Sequence, residues 1–291
     1  ARAFIGYMPT AKLKEKFLDA EWKAQLDLKF SKSNNRTILS HRKHFGPLQV
    51  QKPFYPEING TCHVYILHPP GGVVGGDRLN IYVDVSSNAH ALVTTPAAGK
   101  FYRSAGPVAR QEQIIKIASK GILEWFPSEN IIFSGAKAQI QTKVKLAHDS
   151  HFVGWEIFCL GRPASGEIFS QGKLDQRFEV WREGRPLRIE RLRLKGGDPA
   201  LRAKWGLLGF PVIGSMVCVT DKTELLESLR KITNVSIDQE LFSVTQMDGI
   251  ILCCFLGNSV ERARNCFISA WKIFRQEVIG YEAVEPRIWK T

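Results

Sequence analysis

The residues with the clearest chemical potential form a glycine-rich loop, His68 to Asp77. It holds two prolines, a closing aspartate and four glycines, Gly71, Gly72, Gly75 and Gly76. Glycine is favoured where φ is positive or where the backbone approaches another group closely. We therefore expect a tightly shaped loop. A phosphate-binding loop needs G-x-G-x-x-G or G-x-x-x-x-G-K-[ST], and the spacing G-G-x-x-G-G fits neither pattern.

A second candidate for phosphate chemistry is the pair Gly99-Lys100, which resembles the end of a P-loop. The residue five positions before Gly99 is Thr94 where a glycine is needed, and Phe101 stands where the Mg²⁺-binding Ser or Thr is needed. The sequence therefore argues against nucleotide binding here. A shaped turn between two strands is the favoured interpretation of the glycine-rich loop.

Metal-ligating residue types are present, but their spacing is not that of a closed metal site. The patterns C-x-x-C, H-E-x-x-H and H-x-H are missing from the sequence. A transient cation needs only scattered carboxylates, imidazoles or waters. Acidic residues in apolar strand contexts, together with one histidine, are the candidates for a polar channel: His63, Asp77, Asp84, Glu124 and Glu156. The alternative is that each side chain faces water on the exposed side of its strand.

Nucleophilic catalysis has no support in the sequence, because it contains no G-x-S-x-G elbow and no recognisable Ser or Cys signature. We therefore expect a protein that is not an enzyme. The segment from Gly161 to Glu167 reads as a rigid polar turn. We expect Arg162 to anchor this turn by bonding to carbonyl groups.

Composition indicates a globular protein with a large core. The chain has 291 residues, 44% of them hydrophobic and 23% charged. The sequence contains no run of eighteen apolar residues, so we expect no transmembrane helix. We also expect no signal peptide, because the apolar patch in the first residues is too short for a signal-peptide core. The six cysteines are sparse and stand in apolar contexts. This usage is typical of buried free thiols in a reducing compartment, so we expect a cytoplasmic protein.

The net charge of +12 comes from two segments. Residues 1–52 hold 11 Lys and Arg against 4 Asp and Glu, and residues 173–204 hold 10 against 5, so the remainder of the chain is balanced. Concentrated positive charge indicates an acidic partner, although a solvated surface explains either segment alone. One alternative is a β-rich nucleic-acid-binding protein, with stacking by nearby aromatic residues, Trp22, Phe30, Trp181 and Trp205.

The chain that must position these residues reads as mainly β. Short alternating segments separated by turn residues every eight to twelve positions predict a large stacked or sandwich-like β body. We expect a lead-in segment over residues 1–20, the body over 21–205 and a smaller α+β region with two helices over 206–291. Its helices are predicted to begin at the capping patterns Asp221-x-x-Glu224 and Asn258-x-x-Glu261. The second helix should run to about Val278 and carry an apolar stripe that we expect to be core. Within the body, Glu183-Gly184-Arg185-Pro186 is predicted to be the turn of a hairpin. The two parts can also form one continuous unit.

Four segments, in this order and at these distances, resemble the UreD family of urease accessory proteins, called UreH in some bacteria: HPPGGVVGGD, TTPAAGKFYRS, LEWFPSENIIF and CLGRPASGE. The resemblance runs from about Trp22 to Gly197. It implies a non-enzymatic scaffold that links apo-urease to the nickel-delivery proteins UreF and UreG. GTP hydrolysis would belong to UreG, which agrees with the failed P-loop spacing.

The resemblance also implies a water-filled passage that carries Ni²⁺ in transit, without a permanently bound cofactor. The five channel candidates named above are then candidates for transient nickel contact. Four residues in two of the family motifs, TTPAAGKFYRS and CLGRPASGE, are candidate partner contacts: Lys100, Tyr102, Arg103 and Arg162. A membrane partner is not expected, and nucleic acid is the less favoured partner.

Overall fold

Strands dominate the computed structural model, which describes residues 22–232 and 240–290. The predicted lead-in, residues 1–20, lies outside the described residues. The strands are β1 (Lys23–Ser33), β2 (Arg36–Phe45), β3 (Gln49–Val50), β4 (Cys62–Leu67), β5 (Arg78–Val85), β6 (His90–Thr94), β7 (Gly99–Phe101), β8 (Ala109–Ile117), β9 (Ile122–Phe126), β10 (Asn130–Ile132), β11 (Lys137–Leu146), β12 (His151–Leu160), β13 (Lys173–Arg182), β14 (Arg185–Lys195), β15 (Val212–Val219), β16 (Glu240–Met247) and β17 (Ile250–Gly257).

The helical elements lie in the last third of the chain, apart from one short turn. The α-helices are α1 (Leu226–Arg230) and α2 (Val260–Phe274), and a π-helical turn continues α2 over Arg275–Ile279. Short 3-10 turns occupy Pro163–Ser165, Pro199–Leu201, Thr223–Leu225 and Arg287–Lys290. Among the described residues no helix combines the length and the apolar character needed to cross a bilayer.

Two stacked sheets form the body, which confirms the predicted mainly β class. The seven-stranded sheet has the order β14-β13-β11-β8-β5-β1-β2. The ten-stranded sheet follows β16-β17-β15-β12-β9-β6-β4-β3, and β10 and β7 join it beside β12. From β4 to β13 the chain passes back and forth between the two sheets, so that each turn of the chain adds a strand to each sheet.

Most neighbours in this coil are parallel, which the spacing of turns did not predict. Strands β5, β8, β11 and β13 pair in parallel in the seven-stranded sheet, as do β4, β6, β9 and β12 in the other. Strands that are covered on both faces carry long apolar runs, and β12 is buried from Phe152 to Leu160. The hairpin predicted around Glu183-Gly184 is confirmed, with both residues at positive φ.

The core has two apolar layers. The first lies between the sheets, and the second lies between the ten-stranded sheet and α2. The predicted apolar stripe of α2 belongs to this second layer, where Phe267 and Trp271 are fully buried beside Trp155. Trp289, near the C-terminus, returns to the same layer and packs against Trp155 and Trp271. The stripe is therefore core.

The C-terminal region continues the larger sheet, because β15 pairs with β12 in an antiparallel register. Both predicted helix caps differ from the structure. Asp221 does not cap a helix, since the 3-10 turn starts after Lys222, which makes no side-chain cap. Helix α2 is capped by Ser259, whose Oγ accepts a hydrogen bond from the backbone N–H of Arg262 at 3.2 Å. The prediction of Asn258 as the cap is therefore wrong by one residue.

The cap assignment gives the first testable prediction. Ser259→Ala removes the side-chain acceptor at the start of α2, so we expect it to lower the free energy of unfolding by about 1 kcal/mol. Asn258→Ala is the matched control and should leave the unfolding midpoint close to that of the wild type. Chemical denaturation of both variants measures the effect. A larger loss for Asn258→Ala than for Ser259→Ala would contradict the assignment.

Candidate functional site

A chain of hydrogen-bonded polar side chains crosses the apolar space between the two sheets. We call it the inter-sheet polar path, and its members are Gln113 on β8, Thr142 on β11, Glu156 on β12, Gln176 on β13 and Glu190 on β14. Each of the first four stands on the apolar phase of its strand, where the alternation of a strand turns the side chain inward. Strand alternation and the register between neighbouring strands therefore bring these side chains together.

Glu156 is the centre of the path. Its Oε1 lies 2.5 Å from the Thr142 hydroxyl, which lies 2.6 Å from Oε1 of Gln113. Its Oε2 accepts a hydrogen bond of 2.9 Å from Nε2 of Gln176, and the same nitrogen is 3.0 Å from Oε1 of Glu190. Carboxylate, hydroxyl and amide groups thus form a continuous hydrogen-bonded row.

No cation forms an ion pair with Glu156 in the described part of the chain. Burial raises the pKa of this carboxyl, and the hydrogen bonds from Thr142 and Gln176 and the nearby charge of Arg188 only partly offset that effect. The guanidinium of Arg188 is ion-paired with Glu190. Two buried atoms near the path, Oε1 of Gln176 and Nη1 of Arg188, have no hydrogen-bond partner in the described part of the chain. Buried polar atoms are usually satisfied, so the path holds unused hydrogen-bonding capacity.

A cavity lies at each end of the inter-sheet polar path. The first, of about 390 Å³, is lined by the glycine-rich loop, by Lys100 and by Gln113. The second, of about 420 Å³, is lined by Glu156, Glu190 and Ser215. The end members of the path thus face different cavities. The arrangement offers polar contacts to a small cation across an otherwise apolar interior.

A second polar cluster lies on the opposite face of the ten-stranded sheet, beneath the end of α2. This Arg275 cluster consists of Glu57, His63, His90, Glu124 and Arg275. Nε2 of His63 is 2.6 Å from Glu57, and Nε2 of His90 is 2.6 Å from Glu124. The guanidinium of Arg275 donates to both carboxylates. One cation therefore joins two carboxylate–histidine pairs that come from four different segments.

Electrostatics make the Arg275 cluster a closed unit. Burial would raise the pKa of Glu124, but the hydrogen bond from His90 and the charge of Arg275 outweigh it and lower that pKa to about 2. Trp271 also donates its indole N–H to Glu124. Across residues 22–232 and 240–290, no group of three or more His, Cys, Asp or Glu side chains is arranged to hold a metal ion. The geometry gives these residues a role in holding α2 on the sheet.

The glycine-rich loop is shaped by close contacts. A Cβ on Gly72 would lie 2.1 Å from the ring of Tyr102, so only glycine leaves room for that ring. Gly76 has φ at 101°, in the left-handed region that favours glycine. The Asp77 carboxylate accepts a hydrogen bond of 2.9 Å from the backbone N–H of Val74. Asp77 therefore closes a turn and does not point into the inter-sheet path.

Two of the candidate partner contacts meet on one exposed surface beside this loop. The ring of Tyr102 packs edge-on against Phe133 at 4.9 Å, and the guanidinium of Arg162 lies 4.7 Å from the centre of the same Phe133 ring. We call these three residues the loop surface. Arg162 also pairs with Glu167 at 2.8 Å, where the sequence predicted bonds to carbonyls. Lys100 and Arg103 are exposed near it.

The five channel candidates therefore do not share one site. Glu156 lies in the inter-sheet polar path, whereas His63 and Glu124 belong to the Arg275 cluster on the other side of the sheet. Asp77 closes the loop. Asp84 is exposed on the outer face of the seven-stranded sheet, in register with Lys29 and Lys116.

Sequence reasoning missed the neutral members of the path. Gln113, Thr142 and Gln176 look like surface residues because amides and hydroxyls are common on exposed strands. A signal was nevertheless present, since each occupies the apolar phase of an alternating strand, as Gln176 does between Leu174 and Phe178. The parallel register that aligns them could not be read from the sequence.

The Arg275 cluster gives the second prediction. Arg275→Met removes the cation and leaves Glu57 and Glu124 buried without charge compensation, so we expect a loss of about 3–5 kcal/mol in the free energy of unfolding. Arg264→Met is the matched control, because Arg264 pairs with the partly exposed Glu129 and should cost at most about 1 kcal/mol. Denaturant titration compares the two. Equal losses would show that burial does not govern the cluster.

Comparison with known proteins places this architecture in one family. The family model described as UreD urease accessory protein matches residues 23–290. A urease accessory protein UreD from Alcanivorax borkumensis is 44% identical over 268 residues, which cover 92% of this chain and 90% of that protein. UreD 2 from Brucella anthropi is 43% identical, covering 93% and 98%, and UreD from Escherichia coli is 41% identical, covering 94% and 99%. The chain belongs to the UreD family of urease accessory proteins.

Proposed function

We propose that this chain is a non-enzymatic scaffold in urease maturation and that Ni²⁺ passes through its inter-sheet polar path. The scaffold would link apo-urease to the nickel-delivery proteins UreF and UreG. The observation that carries the proposal is the path itself, a row of oxygen-bearing side chains between two cavities in an otherwise apolar interior. Family membership supplies the urease context.

The ligand types in the path suit transit better than storage. Carboxylate, hydroxyl and amide oxygens contact hard and borderline cations. Tight Ni²⁺ sites instead use softer ligands, such as imidazole nitrogen or thiolate sulfur. Glu156 provides one carboxyl group whose hydrogen-bond partners, Thr142 and Gln176, are neutral. Glu190, the other carboxylate of the path, is already paired with Arg188. One carboxyl group without an ion-pair partner attracts a cation without holding it, which is the property a passage needs.

The partner assignment rests on the loop surface. Tyr102, Phe133 and Arg162 combine an aromatic pair with a guanidinium, and aromatic residues and Arg are enriched in protein interfaces. The loop surface also borders the first cavity, because Gly71 and Gly72 line that cavity and Gly72 contacts Tyr102. A partner docked here would therefore sit at one mouth of the path.

A cytoplasmic location fits the cysteines. All six are free thiols in the structure, and five of them are buried. Burial raises the pKa of the Cys62 and Cys266 thiols to about 11, so these groups stay protonated and unreactive. Unpaired cysteines of this kind are usual in a reducing compartment.

Nucleic-acid binding is the weaker candidate. Of the aromatic residues considered for base stacking, Phe30 is fully buried in the core. Trp181 is covered by Lys143, whose Nζ lies 4.9 Å from the ring centre, and its indole N–H donates to Glu179. Only Trp22 and Trp205 are largely exposed among the four, so no continuous stacking platform supports this role.

The third prediction tests the path. Glu156→Gln keeps the size of the side chain and removes its charge, so we expect urease activation at limiting Ni²⁺ to fall by about tenfold, the effect of roughly 1.4 kcal/mol of lost cation stabilisation. Activation should recover as Ni²⁺ is raised. The assay measures urease activity after incubation of apo-urease with UreF, UreG, GTP and each variant.

The matched control is Asp84→Asn, which neutralises an exposed carboxylate outside the path. It should activate urease as the wild type does. Size-exclusion chromatography must show that Glu156→Gln still enters the same complex, so that a loss of activation reports on passage. Unchanged activation by a correctly assembled Glu156→Gln complex would remove the path from the mechanism.

The fourth prediction tests the loop surface. We expect Tyr102→Ala/Arg162→Ala to weaken binding to one of the proposed partners by about tenfold or more, since both truncated residues are of the types that dominate interface energy. Biolayer interferometry with UreF, UreG and apo-urease, each measured separately, gives the affinities. Tyr55→Ala/Arg36→Ala is the control, because it truncates the same two residue types in a Tyr–Arg pair, 5.0 Å apart, outside the loop surface. Equal affinities for both double variants would exclude the loop surface as a docking site.

A further inference from the structure

Four strands from the two basic segments of the sequence lie in one sheet. In the seven-stranded sheet, β1 and β2 stand at one edge and β13 and β14 at the other. The inner face of this sheet packs on the ten-stranded sheet, and its outer face carries the polar side chains of the alternation. The folded chain therefore collects charges that are far apart in sequence on a single broad face.

Strand register shows how strongly basic one half of this outer face is. Across β8, β11, β13 and β14 the outward positions carry ten cations against three carboxylates. The cations are Arg110, Lys116, Lys137, Lys143, Lys145, Lys173, Arg177, Arg191, Arg193 and Lys195, and the carboxylates are Glu112, Asp175 and Glu179. Half of these cations lie outside the two basic segments.

The corner of this face holds three lysines side by side. Lys137 is in register with Lys173, which is in register with Lys195, and all three are exposed. Like charges directly opposite each other on neighbouring strands destabilise a sheet. In the described part of the chain no carboxylate lies within 4 Å of these amines, and Nζ of Lys137 reaches only the carbonyl of Gly106 at 3.2 Å. Folding alone does not explain this row.

Two of the three carboxylates on the face are already engaged. Asp175 lies 3.6 Å from Arg191 and 3.5 Å from Arg193. Glu179 is ion-paired with Arg177 and lies 3.4 Å from Lys143. These local pairs leave the lysine row uncompensated at one edge, so the excess charge is directed outward and not cancelled within the face.

We infer that the outer face of β8, β11, β13 and β14, with the row Lys137, Lys173 and Lys195 at its edge, is a docking surface for an acidic face of a folded protein. This inference rests on the proposed scaffold function and names a second surface. Its Lys137 corner adjoins the segment of the loop surface, because Arg103, next to Tyr102, forms a β-bridge with Ala136. Charge complementarity of this kind directs encounter and register between proteins.

A protein fits this face better than a nucleic acid does. The carboxylates Glu112, Asp175 and Glu179 stand among the cations and would repel a phosphate chain. The one tryptophan of the face, Trp181, is covered by Lys143 and is not open for stacking. Ile114 and Ile189 lie at the two ends of one row, with Lys143 and Glu179 between them, and Ile189 is 51% exposed. A face of mixed charges with exposed apolar side chains suits a protein surface better than a phosphate chain.

The four strands also cover a suitable area. At about 4.8 Å per strand, with about ten residues each at about 3.3 Å per residue, they span a flat area of roughly 600 Å². A standard interface uses about 800 Å² on each partner. The four strands therefore supply most of such an interface without any rearrangement.

The experiment reverses the edge row. Lys173→Glu/Lys195→Glu should bind one of apo-urease, UreF or UreG about tenfold or more weakly than the wild type at about 50 mM salt, and the difference should shrink as salt screens the charges. Lys52→Glu/Lys204→Glu is the control, because it reverses two exposed charges outside the outer face. Each partner is measured separately by biolayer interferometry, and circular dichroism checks that both variants are folded.

The outcomes separate this inference from the proposed function. If the wild type binds none of the three partners, the scaffold function itself fails. If the wild type binds and both double variants bind equally well, the scaffold stands and the docking surface is overturned. A third outcome is that a 20-base-pair DNA binds the wild type with a steep salt dependence, and that Lys173→Glu/Lys195→Glu abolishes DNA binding but leaves protein binding unchanged. In that case the face binds nucleic acid, and the inference is likewise overturned.

Discussion

The rest of the structure depends on one requirement of coiled parallel strands, which is that their inner faces must be covered. The chain meets it by passing back and forth between two sheets, so each sheet covers the other. The ten-stranded sheet is covered a second time, by α2 and the C-terminal segment with Trp289. Within residues 22–232 and 240–290 no element covers the seven-stranded sheet a second time, so its outer face can carry charge. Interior, covered face and exposed face thus acquire different chemistry.

The two buried polar groups resolve the cost of burial in opposite ways. In the Arg275 cluster a cation lies between Glu57 and Glu124 and donates a hydrogen bond to each, so both carboxylates are paired. In the inter-sheet polar path the hydrogen-bond partners of Glu156 are neutral, and burial raises its pKa. A carboxyl group without an ion-pair partner is the one that gains most from a visiting cation. The contrast explains why we assign stability to the first group and transit to the second.

The sequence predicted those features that are set by neighbours along the chain. Hairpins with tight turns, such as Glu183-Gly184, and the apolar stripe of α2 depend on local spacing, and the structure confirms both. Features set by pairing between distant strands were not predictable. The parallel register that brings Thr142 beside Glu156, and the packing of Arg275 against Glu57, need the fold before they can be stated. For the same reason His63 and Glu156 were both candidates for one polar channel, although they lie on opposite faces of one sheet.

The position of the loop surface links docking to transit. Gly71 and Gly72 line the first cavity, and Gly72 has no side chain because the ring of Tyr102 occupies that space. The hydroxyl of Tyr102 also reaches the carbonyl of Gly71, at 3.5 Å. A protein that packs on Tyr102 therefore presses on the wall of the cavity that leads to Gln113 and Glu156. Under the proposed function, partner docking and access to the path are mechanically one event.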